Sequence, residues 1–215
     1  IVYQINEGPR VYVDKINIEG NVRTLDRVIR REFRLVEGDA FNTAKLNRSR
    51  SRIRGLNFFG EVEITQTPGE APDRTIVNVE VKEKSTGQLS FGVGFSTTES
   101  VIADISIAER NLLGKGQFLR ASAQASSLTQ QYELSFSEPY FMNRQVAAGF
   151  DLFQIRNYYS DFASFNTEQT GFTLSVGAPL SEYAGARLRY SLRQDKISGA
   201  PINASIFILD ALGTD

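Results

Sequence analysis

The 215-residue chain contains neither His nor Cys. That removes imidazole proton relays, thiolate nucleophiles, zinc-type ligand sets and disulfides. Carboxylates are left as candidates for acid–base chemistry. The pairs Glu61 with Glu63 and Asp14 with Glu19 lie in plain strand text. No nucleophile setting or metal spacing accompanies them, and they read as surface charge. Gly92-Val93-Gly94-Phe95 has the glycine content of a phosphate loop, but no Lys-Ser/Thr follows and no helix opens after it. The strongest concentration of charge is basic. Between Arg23 and Arg54 lie ten Lys or Arg (Arg23, Arg27, Arg30, Arg31, Arg34, Lys45, Arg48, Arg50, Arg52 and Arg54) against four Asp or Glu. Most of these read as a solvated helix surface, and the others as a docking face for a protein or for anionic lipid headgroups. The whole chain carries a net charge of −1, so no global field points to nucleic acid. The chemistry on offer is recognition, not catalysis, and no cofactor is called for.

Two stretches of different period must position these groups, and the change falls near Glu83 to Gly87. Val11 to Glu19 alternates, with one slip, and predicts a strand. Thr24 stands where an N-cap belongs, with Leu25, Val28, Ile29, Glu32, Phe33 and Val36 at helical spacing after it. Gly38-Asp39 ends that helix. Asn42 or Thr43 caps a second one, with Leu46, Ile53 and Leu56 inward. Strands Glu61 to Thr67 and Thr75 to Val81 follow, joined through Pro68-Gly69 and Ala71-Pro72-Asp73. The order is β-α-α-β-β.

Beyond Gly87 seven stretches alternate with period two. Leu89, Phe91, Val93 and Phe95 oppose Gln88, Ser90, Gly92 and Gly94. Similar faces recur around Ile105, Ala121, Leu134, Phe150, Leu174 and Leu188. Each stretch has the length a tilted strand needs to cross hydrocarbon. No apolar run reaches the roughly 18 residues of a spanning helix, a test blind to barrels. A soluble sandwich also alternates, so alternation leaves both architectures open. Small, smooth apolar faces, connections of alternating length, and aromatics near strand ends (Phe95, Tyr140, Phe141, Phe153, Tyr158) favour the membrane barrel.

Several motifs resemble a known family. VDKINIEGN (Val13 to Asn21), EGDAFN (Glu37 to Asn42) and GLNFFGEVEI (Gly55 to Ile64) resemble a POTRA domain. VYQINEGPR (Val2 to Arg10) is similar to the last strand of a preceding one, so further repeats are expected upstream. VKEKSTGQLSFGVGFS (Val81 to Ser96) resembles the join to a first barrel strand. RNLLGKG (Arg110 to Gly116) and SEPYF (Ser137 to Phe141) resemble the first two periplasmic turns of the Omp85 superfamily. The resemblance runs from Ile1 to about Gln194 and is weak beyond Ile197, where 197–215 suits an external loop entering an eighth strand.

The resemblance implies an α+β POTRA domain over 11–84, preceded by a domain tail over 1–10. Antiparallel transmembrane β-barrel strands follow over 85–215, too few to close the barrel. It implies an outer-membrane protein whose POTRA domain lies in the periplasm, working on unfolded outer-membrane proteins with accessory assembly lipoproteins and outer-membrane lipid as partners. The first barrel strand, Gln88, Leu89, Ser90, Phe91, Gly92, Val93, Gly94 and Phe95, is then one side of a lateral gate. Its glycines either permit bending of that edge or relieve crowding. Asn111, Gly114 and Gly116 shape one periplasmic turn, and Pro139, Tyr140 and Phe141 the next. Glu32, with Arg31 and Arg34, marks the POTRA face toward a lipoprotein. The strand Glu61 to Thr67 is a further place for an extended peptide. The alternative within the superfamily is a translocation pore, TamA-like or of the two-partner secretion kind. Outside it stands a periplasmic binding module fused to a soluble sandwich. A diffusion porin is disfavoured, because porins lack the POTRA text.

Overall fold

The computed structural model describes residues 10–159, 165–181 and 184–199. The expected domain tail, but for Arg10, and the segment 200–215 lie outside the described residues. The chain divides into two compact units: residues 1–86 with Leu113–Lys115, and residues 87–112 with 116–215.

The first unit has strands β1 (Tyr12–Glu19), β2 (Phe59–Pro68) and β3 (Arg74–Glu83) and helices α1 (Asp26–Arg30) and α2 (Thr43–Gly55). The sheet order is β1-β3-β2, with β1 parallel and β2 antiparallel to β3. The slip in the β1 pattern is a bulge between Val13 and Ile16 that returns both apolar side chains to the core. Val77, Val79 and Val81 of β3, Val62, Ile64 and Phe59 of β2, Leu46 and Ile53 of α2, Val28 and Ile29 of α1, and Leu35 and Phe58 from the connections join it. Each fully buried side chain of this size contributes about 1.5–3 kcal/mol.

α2 forms as expected. Asn42 caps it, its side chain accepting from the Lys45 N–H at 3.0 Å. Asn57, in the left-handed region at φ 61°, turns the chain off its C-terminus. The first helix is much shorter than Thr24 to Val36. α1 has five residues, and Leu25 stands at its N-cap with no side-chain cap. Thr24 is committed elsewhere: its N–H donates to the Glu83 carboxylate at 2.7 Å, beside the Arg23 N–H at 2.9 Å. After Arg31 the chain leaves the helical path. Leu35 becomes buried while Val36 is exposed. The Arg34 N–H is instead satisfied by the Ser49 hydroxyl of α2 at 2.8 Å, and that hydroxyl donates to the Lys45 carbonyl at 2.9 Å.

The second unit is one antiparallel meander of seven strands. These are β4 (Gly87–Ser96), β5 (Ser100–Leu112), β6 (Gln117–Ala125), β7 (Thr129–Glu138), β8 (Ala147–Tyr158), β9 (Asn166–Pro179) and β10 (Gly185–Ser198). They lie in chain order, β4 to β10. Among the described residues every buried apolar side chain lies between Val13 and Val81. Among the described residues the apolar face of the meander is covered by no other layer.

Two predictions follow from the first unit. Ser49→Ala removes a fully buried hydroxyl and leaves the part-buried Arg34 N–H without its acceptor, and should lower the unfolding free energy by about 1 kcal/mol in a denaturant titration of the first unit's transition. Desolvation alone would raise the Glu83 carboxyl, but hydrogen bonds from Thr24 and Arg23 outweigh it and hold the pKa below 4.5. A lowered folded-state pKa means stability present above the unfolded value and lost as pH falls through the folded one. Glu83→Gln should therefore flatten the acid limb of the stability–pH curve below about pH 4.5; an unchanged limb would show that Glu83 holds nothing.

Candidate functional site

The meander presents two chemically distinct faces. The ladders set Leu89, Ile107, Ala121, Leu134, Leu152, Phe172 and Leu192 in one row across the sheet. That face is exposed: Phe91 at 74%, Leu134 at 36% and Leu188 at 76%. The opposite face carries Arg120, Glu133, Asp151, Arg189 and Arg193 among serines and glutamines. An apolar side that covers nothing, opposite a charged one, suits lipid outside and water inside. Phe153, expected with the strand-end aromatics, lies on the inward face. It pairs with Gly171, and a Cβ built there would meet its ring at 2.7 Å, so the ring fills the glycine's gap.

The apolar belt is not level in the ladder register. Its centre is at Gly92 on β4 and at Arg189 on β10, yet the ladders place Gly92 level with Asp195. The belt thus slips six residues over the six steps from β4 to β10. One residue of rise per strand spacing corresponds to a tilt of about 35°, the inclination of strands that close into a barrel around a flat hydrocarbon slab. A sandwich core imposes no such steady slip.

β4 is one edge of this sheet, paired with β5 alone among the described residues. All eight expected gate residues lie on it: Leu89, Phe91, Val93 and Phe95 outward, Gln88, Ser90, Gly92 and Gly94 inward. The two glycines differ. A Cβ at Gly92 would meet the Asp104 carboxylate at 2.2 Å, whereas at Gly94 it would meet nothing within 4 Å. Crowding accounts for Gly92 and leaves Gly94 to be explained by backbone freedom or by what approaches that edge.

The expected turns are built as hydrogen-bonded units. The Asn111 side chain accepts the Gly116 N–H at 2.8 Å, and Gly114 and Gly116 take left-handed φ of 68° and 71°. In the second turn the Tyr140 N–H donates to Glu138 at 3.0 Å, and the Phe141 N–H to the Val146 carbonyl at 2.8 Å. Pro139 lies between Glu138 and Tyr140. Glu138 also accepts from the Gln117 side chain at 2.6 Å, linking the turn to β6. Glu138 was not singled out from sequence, although a carboxylate before Pro in SEPYF is a signal for such a turn.

In the POTRA unit Glu32 is 6% exposed, its carboxylate held by Arg52 at 2.7 Å with Arg31 at 4.0 Å. Arg34 is exposed and Arg31 half-buried. The structure thus joins Glu32 and Arg31 in one ion cluster, with Arg34 beside it in sequence and outside it. β2 is an edge strand, as expected, but a guarded one. Arg50 donates to the Ile64 carbonyl at 3.1 Å and Arg54 to the Val62 carbonyl at 3.2 Å, covering acceptors that an added strand needs. On its far face the Lys82 ammonium, 2.6 Å away, lowers the Glu61 pKa through a hydrogen bond and then through charge. Among the described residues no three His, Cys, Asp or Glu gather as metal ligands.

Comparison with known proteins agrees with this geometry. The POTRA model (surface antigen variable number repeat) matches residues 11–84, and the Omp85 superfamily domain matches residues 111–211. An outer membrane protein assembly factor BamA from Nitratidesulfovibrio vulgaris is 34% identical over 89% of this chain and 24% of its own length. The crystal structure of BamA from Haemophilus ducreyi lacking POTRA domains 1–3 superposes with a TM-score of 0.75 at 28% identity, covering 90% of this chain and 37% of that one. CdiB from Acinetobacter baumannii shares the fold at a TM-score of 0.61 and 14% identity, over 93% of this chain and 40% of its own. The chain spans about a quarter of the length of the curated relatives it matches. With one POTRA domain of the periplasm leading into strands of an outer-membrane β-barrel, the chain belongs to the Omp85 superfamily.

Proposed function

We propose that this chain is the part of an outer-membrane assembly factor at which client barrels begin to form. The observation that carries the reading is the β4 strand itself: Leu89, Phe91, Val93 and Phe95 are exposed on its outward face, and Gly94 leaves open space on its inward one. Each unpaired backbone group in hydrocarbon costs several kcal/mol. A row of N–H and C=O groups at the membrane's depth lets an incoming strand satisfy its own groups as it enters. No bond is made or broken, so the work needs no nucleophile, metal or cofactor.

Unfolded outer-membrane proteins are the clients. The POTRA surface around Arg31 and Arg34, with Glu32 holding its shape from within, is the docking face for an accessory lipoprotein, and the belt is solvated by outer-membrane lipid. The buried Glu32–Arg52 pair makes Glu32 a support of that face more than a contact on it. The second reading, a translocation pore of the same superfamily, is favoured by the charged inward face and by the fold shared with CdiB.

Gly94 separates the two. Gly94→Val has room for its side chain but stiffens the free edge. In the full-length protein reconstituted in vesicles, it should slow insertion of an unfolded outer-membrane protein roughly ten-fold, about 1.4 kcal/mol of barrier. Insertion at the unaltered rate would overturn the templating role of β4. Unaltered insertion together with loss of passage of a soluble passenger would favour the pore.

A further inference from the structure

Three strands overshoot the apolar belt. On the outward face the belt ends at the level row Leu152, Phe172, Leu192 of β8, β9 and β10. The next row is Gln154, Thr170, Gln194, and the one after it Arg156, Glu168, Lys196. On β4 and β5, by contrast, the outward face stays apolar to Phe95 and Val101, beside the hairpin itself. β4 leaves the POTRA domain on the periplasmic side, so these overshooting ends point to the cell exterior.

The charged row lies roughly 14 Å along the strands from Leu152, about 11 Å of height at the belt's tilt. That is just outside the roughly 5–7.5 Å headgroup zone of the outer leaflet, within reach of it for side chains as long as Arg156 and Lys196. Glu168 accepts from Arg156 Nε at 3.1 Å and from the Gln154 side chain at 2.6 Å, and Lys196 lies opposite Glu168 on its other side. The row therefore reads plus, minus, plus, with a net positive charge. Glu168 competes with an anionic ligand for Arg156, and amide and hydroxyl groups line the approach from the belt below. Arg156 and Lys196 flank this uncharged polar row from above, on the same outward face as the apolar belt below it.

The geometry points to a binding site for the phosphorylated headgroup of an outer-leaflet glycolipid, with Arg156 and Lys196 on phosphate, Gln154, Gln194 and Thr170 on sugar hydroxyls, and the acyl chains on the apolar row beneath. The occupant is continuous with the lipid that already covers the belt and complements the charge above it. Basic residues at a membrane surface contribute roughly a five-fold change in binding per charge.

The test uses the full-length protein in detergent and bis-phosphorylated lipid A as probe, with bound lipid counted by native mass spectrometry. The Arg156→Gln/Lys196→Gln double variant should bind lipid A about thirty-fold more weakly. Glu168→Gln removes the competing carboxylate and should bind it roughly five-fold more tightly, a gain that misfolding cannot produce. Phosphatase-treated lipid A should bind all three proteins alike. Equal binding of lipid A by the three proteins would overturn the site. So would an equal loss of lipid A and its dephosphorylated form in the double variant, which would leave only the apolar belt as the contact.

Discussion

Hydrocarbon cannot hydrogen-bond to a backbone, and the second unit is arranged around that fact. Within the meander the interior strands pair on both sides, so their N–H and C=O groups are satisfied before lipid is met. The outward side chains are then free to be apolar without being buried, which is why a seven-stranded sheet exists here with no core. The POTRA unit obeys the opposite rule. It stands in water, and among its described residues fourteen apolar side chains are buried in one cluster with the helices and one face of the sheet.

The same constraint gives the edges their meaning. A free edge in water is guarded, and β2 is guarded by Arg50 and Arg54 on its carbonyls. The edge at β4 has Gly94 where a side chain would have room but would stiffen the backbone, and outward Leu89, Phe91, Val93 and Phe95 that are exposed. The first edge carries cations on two of its carbonyls, and the second is the one proposed to receive incoming strands. The two expected periplasmic turns are closed by their own hydrogen bonds: Asn111 accepts from Gly116, and Glu138 accepts from both Tyr140 and Gln117.

Local periodicity made most of this fold legible. All seven strands of the meander, the slip in β1 and the capped α2 are properties of residues a few positions apart. The first helix was misread because the Thr24 groups go to Glu83, a partner 59 residues away that no local window contains. Phe153 was grouped with the strand-end aromatics; the period of β8 puts it on the inward face, and the space its ring fills there is at Gly171, across a strand pair. Glu32 reads as an amphipathic surface position and is in fact buried against Arg52. The slip of the belt, and the cationic row above it, exist only once the ladders fix which residues are level.

Lipid contact is the claim from which the gate, the belt and the headgroup row all descend. It is measured most directly by single fluorescent labels in the full-length protein in vesicles, with quenchers attached to the lipid chains. Labels at Phe91, Leu134 and Leu188 should be quenched from the bilayer, and labels at the inward neighbours Ser90, Glu133 and Arg189 should not. Equal quenching on both faces, or shielding of Phe91, Leu134 and Leu188 from the lipid quencher, would contradict the account.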